Sequence, residues 1–111
     1  MISKIDSIHE VMYIINGKCW KCAESIKVAI IQADFDKRGA TTVGPESFSE
    51  TELALARSKG VSIAIQYSKT KEESYLANTC SCGTFIGQHY LFTDYFHSAQ
   101  MGDYNFERID L

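Results

Sequence analysis

The clearest alternation of apolar and polar positions runs over Val61, Ile63, Ile65 and Tyr67, with Ser62, Ala64 and Gln66 between them. A period of two predicts a strand with one buried face. The polar stretch Ser68–Ser74 reads as a turn, and Tyr75-Leu76-Ala77-Asn78-Thr79 as the strand that returns from it. Earlier in the chain, Val11–Ile15 is a short β-branched and aromatic run bounded by the turn dipeptide Asn16-Gly17. Ile26, Ile30 and Ala33 recur at helical spacing, but the crowded β-branched side chains of Glu24–Gln32 favour a strand. The aromatic-rich stretch Thr84–Phe92, interrupted by Gly87, reads as a further strand.

One helix is well signalled. With Ser49 as N-cap, Glu52 falls where it completes a capping box, and Phe48 and Leu53 take the positions of a hydrophobic staple. Gly60 follows Arg57 and Lys59 as a helix-ending glycine, which predicts a helix over residues 50–59. Residues 34–45 hold charges, two glycines and the only proline, and read as a loop. The expected fold is mainly β with one inserted α-helix, an α+β chain.

The chain has 111 residues, 45% hydrophobic and 23% charged, which suits one globular domain spanning 1–111. Residues 97–111 show no period and read as a loosely ordered, acidic tail. Met1–Glu10 carries charges in place of an apolar signal core, and no run approaches the roughly 18 apolar residues of a membrane span. A cytoplasmic protein with no membrane partner is expected.

All four cysteines fall in two short pairs, Cys19-Trp20-Lys21-Cys22 and Cys80-Ser81-Cys82. Paired thiols far apart in sequence point to one tetrahedral metal site closed by two arms of chain. Zinc is the expected ion, in a structural role, although tetrahedral sulfur suits the iron of a rubredoxin-like redox protein as well. Side chains two apart on extended chain point the same way, so Cys80 and Cys82 can reach one ion. Two disulfides would suit an exported mini-protein, for which the chain carries no sign. A redox Cys-x-x-Cys wants a helix after it, where this chain reads as strand. His89 and His97 are possible substitutes for a cysteine ligand and are left outside the metal set.

Cys19-x-x-Cys22 with Cys80-x-Cys82-Gly83 resembles the knuckle pairs of zinc ribbons. Tyr67-Ser68-Lys69-Thr70, Tyr75–Cys80 and Gly83 with Gly87 are similar to a group of small, poorly characterised bacterial zinc-ribbon proteins. The likeness covers the first pair and residues 65–92 but leaves out the helix. In that group the second pair more commonly has two intervening residues, against one here. The resemblance implies zinc-ribbon-like hairpins joined at a four-cysteine site, and no activity.

Four thiolates and a zinc ion would take the formal charge from −3 to −5, since −3 − 4 + 2 = −5. An acidic protein rarely wraps nucleic acid through its overall field. A local patch of Lys18, Trp20, Lys21 and Lys27 around the first pair is the candidate contact surface for a protein or nucleic acid partner. The same residues also read as lysines offsetting thiolate charge under a covering indole. Catalysis is not expected, because four thiolates close the coordination shell, and His89, Asp94 and His97 form no nucleophile and base arrangement. A metal- or thiol-dependent enzyme is the alternative. Many aromatic rings and an open sheet edge also suggest a homodimer through an edge strand.

Overall fold

A computed structural model describes residues 10–69, 72–87 and 90–111. In chain order the first elements are β1 (Val11–Lys18), β2 (Ser25–Gln32), α1 (Phe35–Arg38), β3 (Thr42–Val43), a 3-10 turn at Pro45–Ser47, and α2 (Glu50–Ser58). There follow β4 (Ile63–Ser68), β5 (Glu73–Thr79), β6 (Phe85–Ile86), a π-helical stretch at Leu91–Phe96 that runs on into α3 (His97–Gln100), and β7 (Asn105–Asp110). The strands form two antiparallel sheets, ordered β3-β2-β1-β7 and β4-β5-β6.

The first sheet is buried on both sides. Tyr13, Ile15, Val28 and Ile30 pack on one face against Leu91, Tyr95 and Ala99. Met12, Ile14, Ala29 and Ile31 pack on the other against Phe48, Ala56, Val61 and Ile63. That double burial is why β1 and β2 read as continuous apolar runs, without the alternation of a half-exposed strand. β1 also runs through Asn16-Gly17, where turn chemistry had predicted its end. Glycine is needed there for space, since a Cβ at Gly17 would lie 3.0 Å from ring carbons of both Tyr95 and Tyr104.

α2 forms as its signals predict. Ser49 and Glu52 exchange both bonds of the capping box. At the other end Gly60 N–H donates to the Arg57 carbonyl and Val61 N–H to the Ala56 carbonyl, with Gly60 at φ 93°. This is the Schellman pattern, and Val61 and Ala56 bury the apolar contact that accompanies it.

One side chain ties the two sheets together. Asn78 on β5 is fully buried, accepts a hydrogen bond from Ala29 N–H at 2.9 Å, and donates one to the Ala29 carbonyl at 3.1 Å. β3 reaches only Ile31 and Gln32 of β2. The Asn78 carboxamide therefore supplies to Ala29 the donor and acceptor that a longer β3 would have supplied. A second polar cluster joins the start of β1 to α1 and α2. Arg38 contacts both oxygens of Glu10, at 2.9 and 3.1 Å, and Glu52 at 2.6 Å. Burial alone would raise the Glu10 pKa, but the bonds from Arg38 and the Asp34 amide, with the charges of Arg38 and Lys37, lower it to about 2.

Three expectations need correction. Residues 34–45 contain α1 and β3 in place of an unstructured loop. Among the described residues, the strand expected over Thr84–Phe92 is found at Phe85–Ile86, and the chain is helical at Tyr90 and on through Leu91–Phe96. Aromatic content suggested a strand, yet Leu91, Tyr95 and Ala99 recur every four residues and are all buried, which is the helical signal. The expected tail is not loose: α3 covers His97–Gln100, and β7 pairs with β1 from Val11 opposite Asp110 to Asn16 opposite Asn105. Hence the one inserted helix becomes several helical segments. Among the described residues no helix is long and apolar enough to cross a membrane.

Two stability predictions follow from these polar contacts. Asn78→Ala leaves two buried backbone groups of Ala29 unmet and is expected to cost about 2–4 kcal/mol in urea unfolding; a cost below about 1 kcal/mol would show that the clamp is dispensable. Because the Glu10 pKa is depressed when folded, its contribution is complete above the ordinary carboxyl value of 4.5 and is lost as pH falls towards 2. Glu10→Gln is therefore expected to be about 1–3 kcal/mol less stable than wild type at pH 7, with the gap closing between pH 4.5 and 2.

Candidate metal centre

Both cysteine pairs sit at hairpin tips that end in the same way. In the first, Cys19 N–H donates to the Glu24 carbonyl at 2.9 Å, one step beyond the pairing of Lys18 with Ser25. In the second, Cys80 N–H donates to the Thr84 carbonyl at 2.7 Å, one step beyond Thr79 with Phe85. Cys19 and Cys80 are thus the last rungs of their ladders and are buried, whereas Cys22 and Cys82 lie beyond them, exposed.

The tips differ in length by one residue, and the turns absorb the difference. Between Cys19 and Glu24 the chain closes with Ala23 N–H on the Cys19 carbonyl, at 2.9 Å. Between Cys80 and Thr84 a tighter turn closes with Gly83 N–H on the Cys80 carbonyl, also at 2.9 Å. In each case the residue after the second cysteine has left-handed backbone, Ala23 at φ 64° and Gly83 at φ 93°. A three-residue hairpin loop with a left-handed glycine at its end is a standard connection. The short Cys-x-Cys spacing is therefore met by a shorter turn that reverses the chain at the same point.

This geometry brings the four sulfurs together, all within 4.8 Å of one another. Cys19 Sγ lies 3.8 Å from Cys82 Sγ, and Cys22 Sγ lies 3.5 Å from Cys80 Sγ. Four sulfurs about 2.3 Å from one ion stand at tetrahedral edges of about 3.8 Å, so the cluster has the dimensions of a thiolate metal site. A disulfide would need about 2.05 Å. All four predicted ligands are in the cluster and His97 is not among them. His89 lies outside the described residues.

Backbone amides surround the sulfurs. Burial opposes ionisation of Cys19, yet the amides of Cys22 and Lys21 and the thiols of Cys80 and Cys22 hold its pKa below the ordinary value. Cys82 is drawn down to about 6, chiefly by the hydroxyl and amide of Thr84. At Cys22 the Glu24 amide acts in the same direction, but burial and the thiols of Cys80, Cys82 and Cys19 outweigh it and push the pKa up to about 12. Four sulfurs this close ionise together only with a cation between them. Glu24 and Thr84 stand in the same place, two residues past the second cysteine of their pair. That offset was readable from the sequence, and the role of Thr84 was missed.

Around the cluster, Trp20 stacks on Tyr90, with ring centroids 5.8 Å apart and planes at 21°. Both rings stay about half exposed, at 55% and 47%. No sequence signal linked Tyr90 to Trp20, which lie seventy positions apart. Tyr95, also missed, donates its hydroxyl to the Lys18 carbonyl at 2.5 Å and so fastens the strand that leads into Cys19. Lys18 and Lys21 are exposed beside the first tip, while Lys27 turns its ammonium to the Lys59 carbonyl at the end of α2, 3.3 Å away. A cleft of about 730 Å³ lies against the polar face of this hairpin, lined in part by Asn16, Lys18, Ser25, Lys27 and Asp103. In comparisons with known proteins the chain matches no family model, no curated protein and no solved structure.

Ala23 is a side-chain-bearing residue in left-handed backbone, a conformation that costs about 1 kcal/mol or more relative to glycine. Ala23→Gly is expected to raise the thermal midpoint of the metal-loaded protein, and Gly83→Ala to lower it, each by the equivalent of about 1 kcal/mol. Equal midpoints for all three proteins would mean that the tips are not held in this conformation.

Proposed function

We propose that Cys19, Cys22, Cys80 and Cys82 bind a single structural zinc ion, which joins the two hairpin tips in the manner of a zinc ribbon. The protein then serves as a small binding or scaffolding module for a protein or nucleic acid partner. The observation that carries this reading is the convergence of four sulfurs, at tetrahedral spacing, from two tips with matching ladder ends. Four thiolates fill a tetrahedral shell, leave no position for substrate, and moderate the ion as a Lewis acid. A four-thiolate site of this kind suits a reducing compartment such as the cytoplasm, which is where we propose the protein acts.

Metal and fold are coupled in this reading. The hairpin tips carry little apolar cover, so the ion supplies much of the energy that holds them side by side. On the outside, Trp20 with Lys18 and Lys21 forms the contact surface, and Lys27 borders the cleft beside it. An exposed indole next to lysines suits stacking on an unpaired base with phosphate contact, and suits an acidic protein surface equally.

Native mass spectrometry of protein made without added metal is expected to give one zinc per chain and four reduced thiols. Removing the ion with a chelator, or replacing any one cysteine with serine, is expected to collapse the near-ultraviolet dichroism of the aromatic core. Two disulfides and no metal would overturn the reading. For the contact surface, Trp20→Ala combined with Lys21→Ala is expected to abolish partner binding without loss of metal; binding that survives both changes would rule this surface out.

A further inference from the structure

β4 is the edge of the second sheet, and the parity of its hydrogen bonds shows which groups it offers to solvent. Thr79 N–H donates to the Ser62 carbonyl at 2.8 Å, so in the β4–β5 register the even positions Ala64 and Gln66 bond across to β5. The odd positions Ile63, Ile65 and Tyr67 point their backbone groups away from β5. At Ile63 the outward carbonyl is taken by the Arg57 guanidinium at 3.0 Å. Beyond it, no described residue pairs with the outward groups of Ile65 or Tyr67.

Edge strands of soluble proteins are ordinarily protected by charge, proline or a bulge. Ile63–Tyr67 has none of these, and its register with β5 is continuous. Ile65 and Tyr67 are 71% and 57% exposed, although they continue the face on which Val61 and Ile63 are buried. The open edge is thus two outward residues long, bounded by Arg57 on one side and by the end of β4 on the other.

We propose that this edge pairs with the β4 edge of a second copy of the chain, antiparallel, about a twofold axis at Gln66. In that register Ile65 of each copy faces Tyr67 of the other. Each pairing exchanges two backbone hydrogen bonds and sets an isoleucine beside a tyrosine on the same face. All outward groups of the open stretch are then met in both copies, which a foreign strand would achieve with only two residues and little specificity. The pairing brings no charged side chain of Ile63–Tyr67 against another, because that segment has none. Two three-stranded sheets become one of six strands. The contact is small against the roughly 1,200–2,000 Å² of a stable interface, so the dimer is a weak one, with a dissociation constant of roughly 10–100 µM.

Sedimentation velocity on protein carrying its own metal, from about 5 to 500 µM to bracket that range, tests the proposal. The sedimentation coefficient is expected to rise from monomer to dimer across the series. Ile65→Pro removes an N–H that points away from β5, so it is tolerated at the edge and is expected to hold the protein monomeric with metal content unchanged. Ile65→Lys, which leaves the backbone intact, is expected to do the same should the proline variant fold poorly. A cysteine introduced by Gln66→Cys meets its own copy across the axis and is expected to cross-link under mild oxidation, where one introduced by Ala64→Cys is not. A monomer at every concentration, or a dimer that persists in both Ile65 variants, overturns the proposal. Because the readout is mass, it stands or falls separately from the identity of the metal.

Discussion

The arrangement of the two hairpins depends on a carboxamide acting as a piece of strand. Asn78 gives Ala29 the donor and acceptor that β3 is too short to provide, and it does so from a position two residues before Cys80. Once that contact is made, β5 lies against β2, and the two tips advance from it with both ladders in register. An apolar side chain at position 78 would bury as well but carry no directional bond, so the second hairpin could slide along the first. Sulfur atoms that must meet within a few ångströms do not tolerate such sliding.

Above that clamp, two tips of unequal length reach a common point. Each ends its ladder on a buried cysteine, turns back through a left-handed residue, and presents a second, exposed cysteine. The difference in spacing lies entirely in how many residues the turn needs. Amides two positions past the outer cysteines then face sulfur in both tips, so backbone dipoles as well as neighbouring thiols act on the cluster.

Local signals made much of this legible in advance. α2 was readable at both ends because capping chemistry acts within a few residues, and the cysteine pairs were readable because few other uses of paired thiols fit such a chain. β4 followed from alternation, and β5 from the polar turn that precedes it. What failed were stretches whose structure is decided at a distance. Gly17 looks like a turn residue until Tyr95 and Tyr104 are seen to lie over it. Leu91 and Phe92 look like the end of a strand until Tyr95 and Ala99 are counted with Leu91. β7 mixes Asn105, Glu107, Arg108 and Asp110 with two apolar residues, and only its place at the edge beside β1 makes it a strand. Asn78 gave no warning at all, since a buried asparagine and an exposed one look the same in sequence.

The pairing of β1 with β7 also bears on how the chain is built. β1 is made well before its outer partner, which comes from residues 105–110. Until those residues emerge, the first hairpin presents the backbone groups of Met12, Ile14 and Asn16 as an open edge flanked by its most apolar side chains. A nascent chain in that state is a template for the wrong neighbour. Biogenesis of this small protein thus runs against its own topology, in which an early strand waits for a late one before the sheet has a safe border.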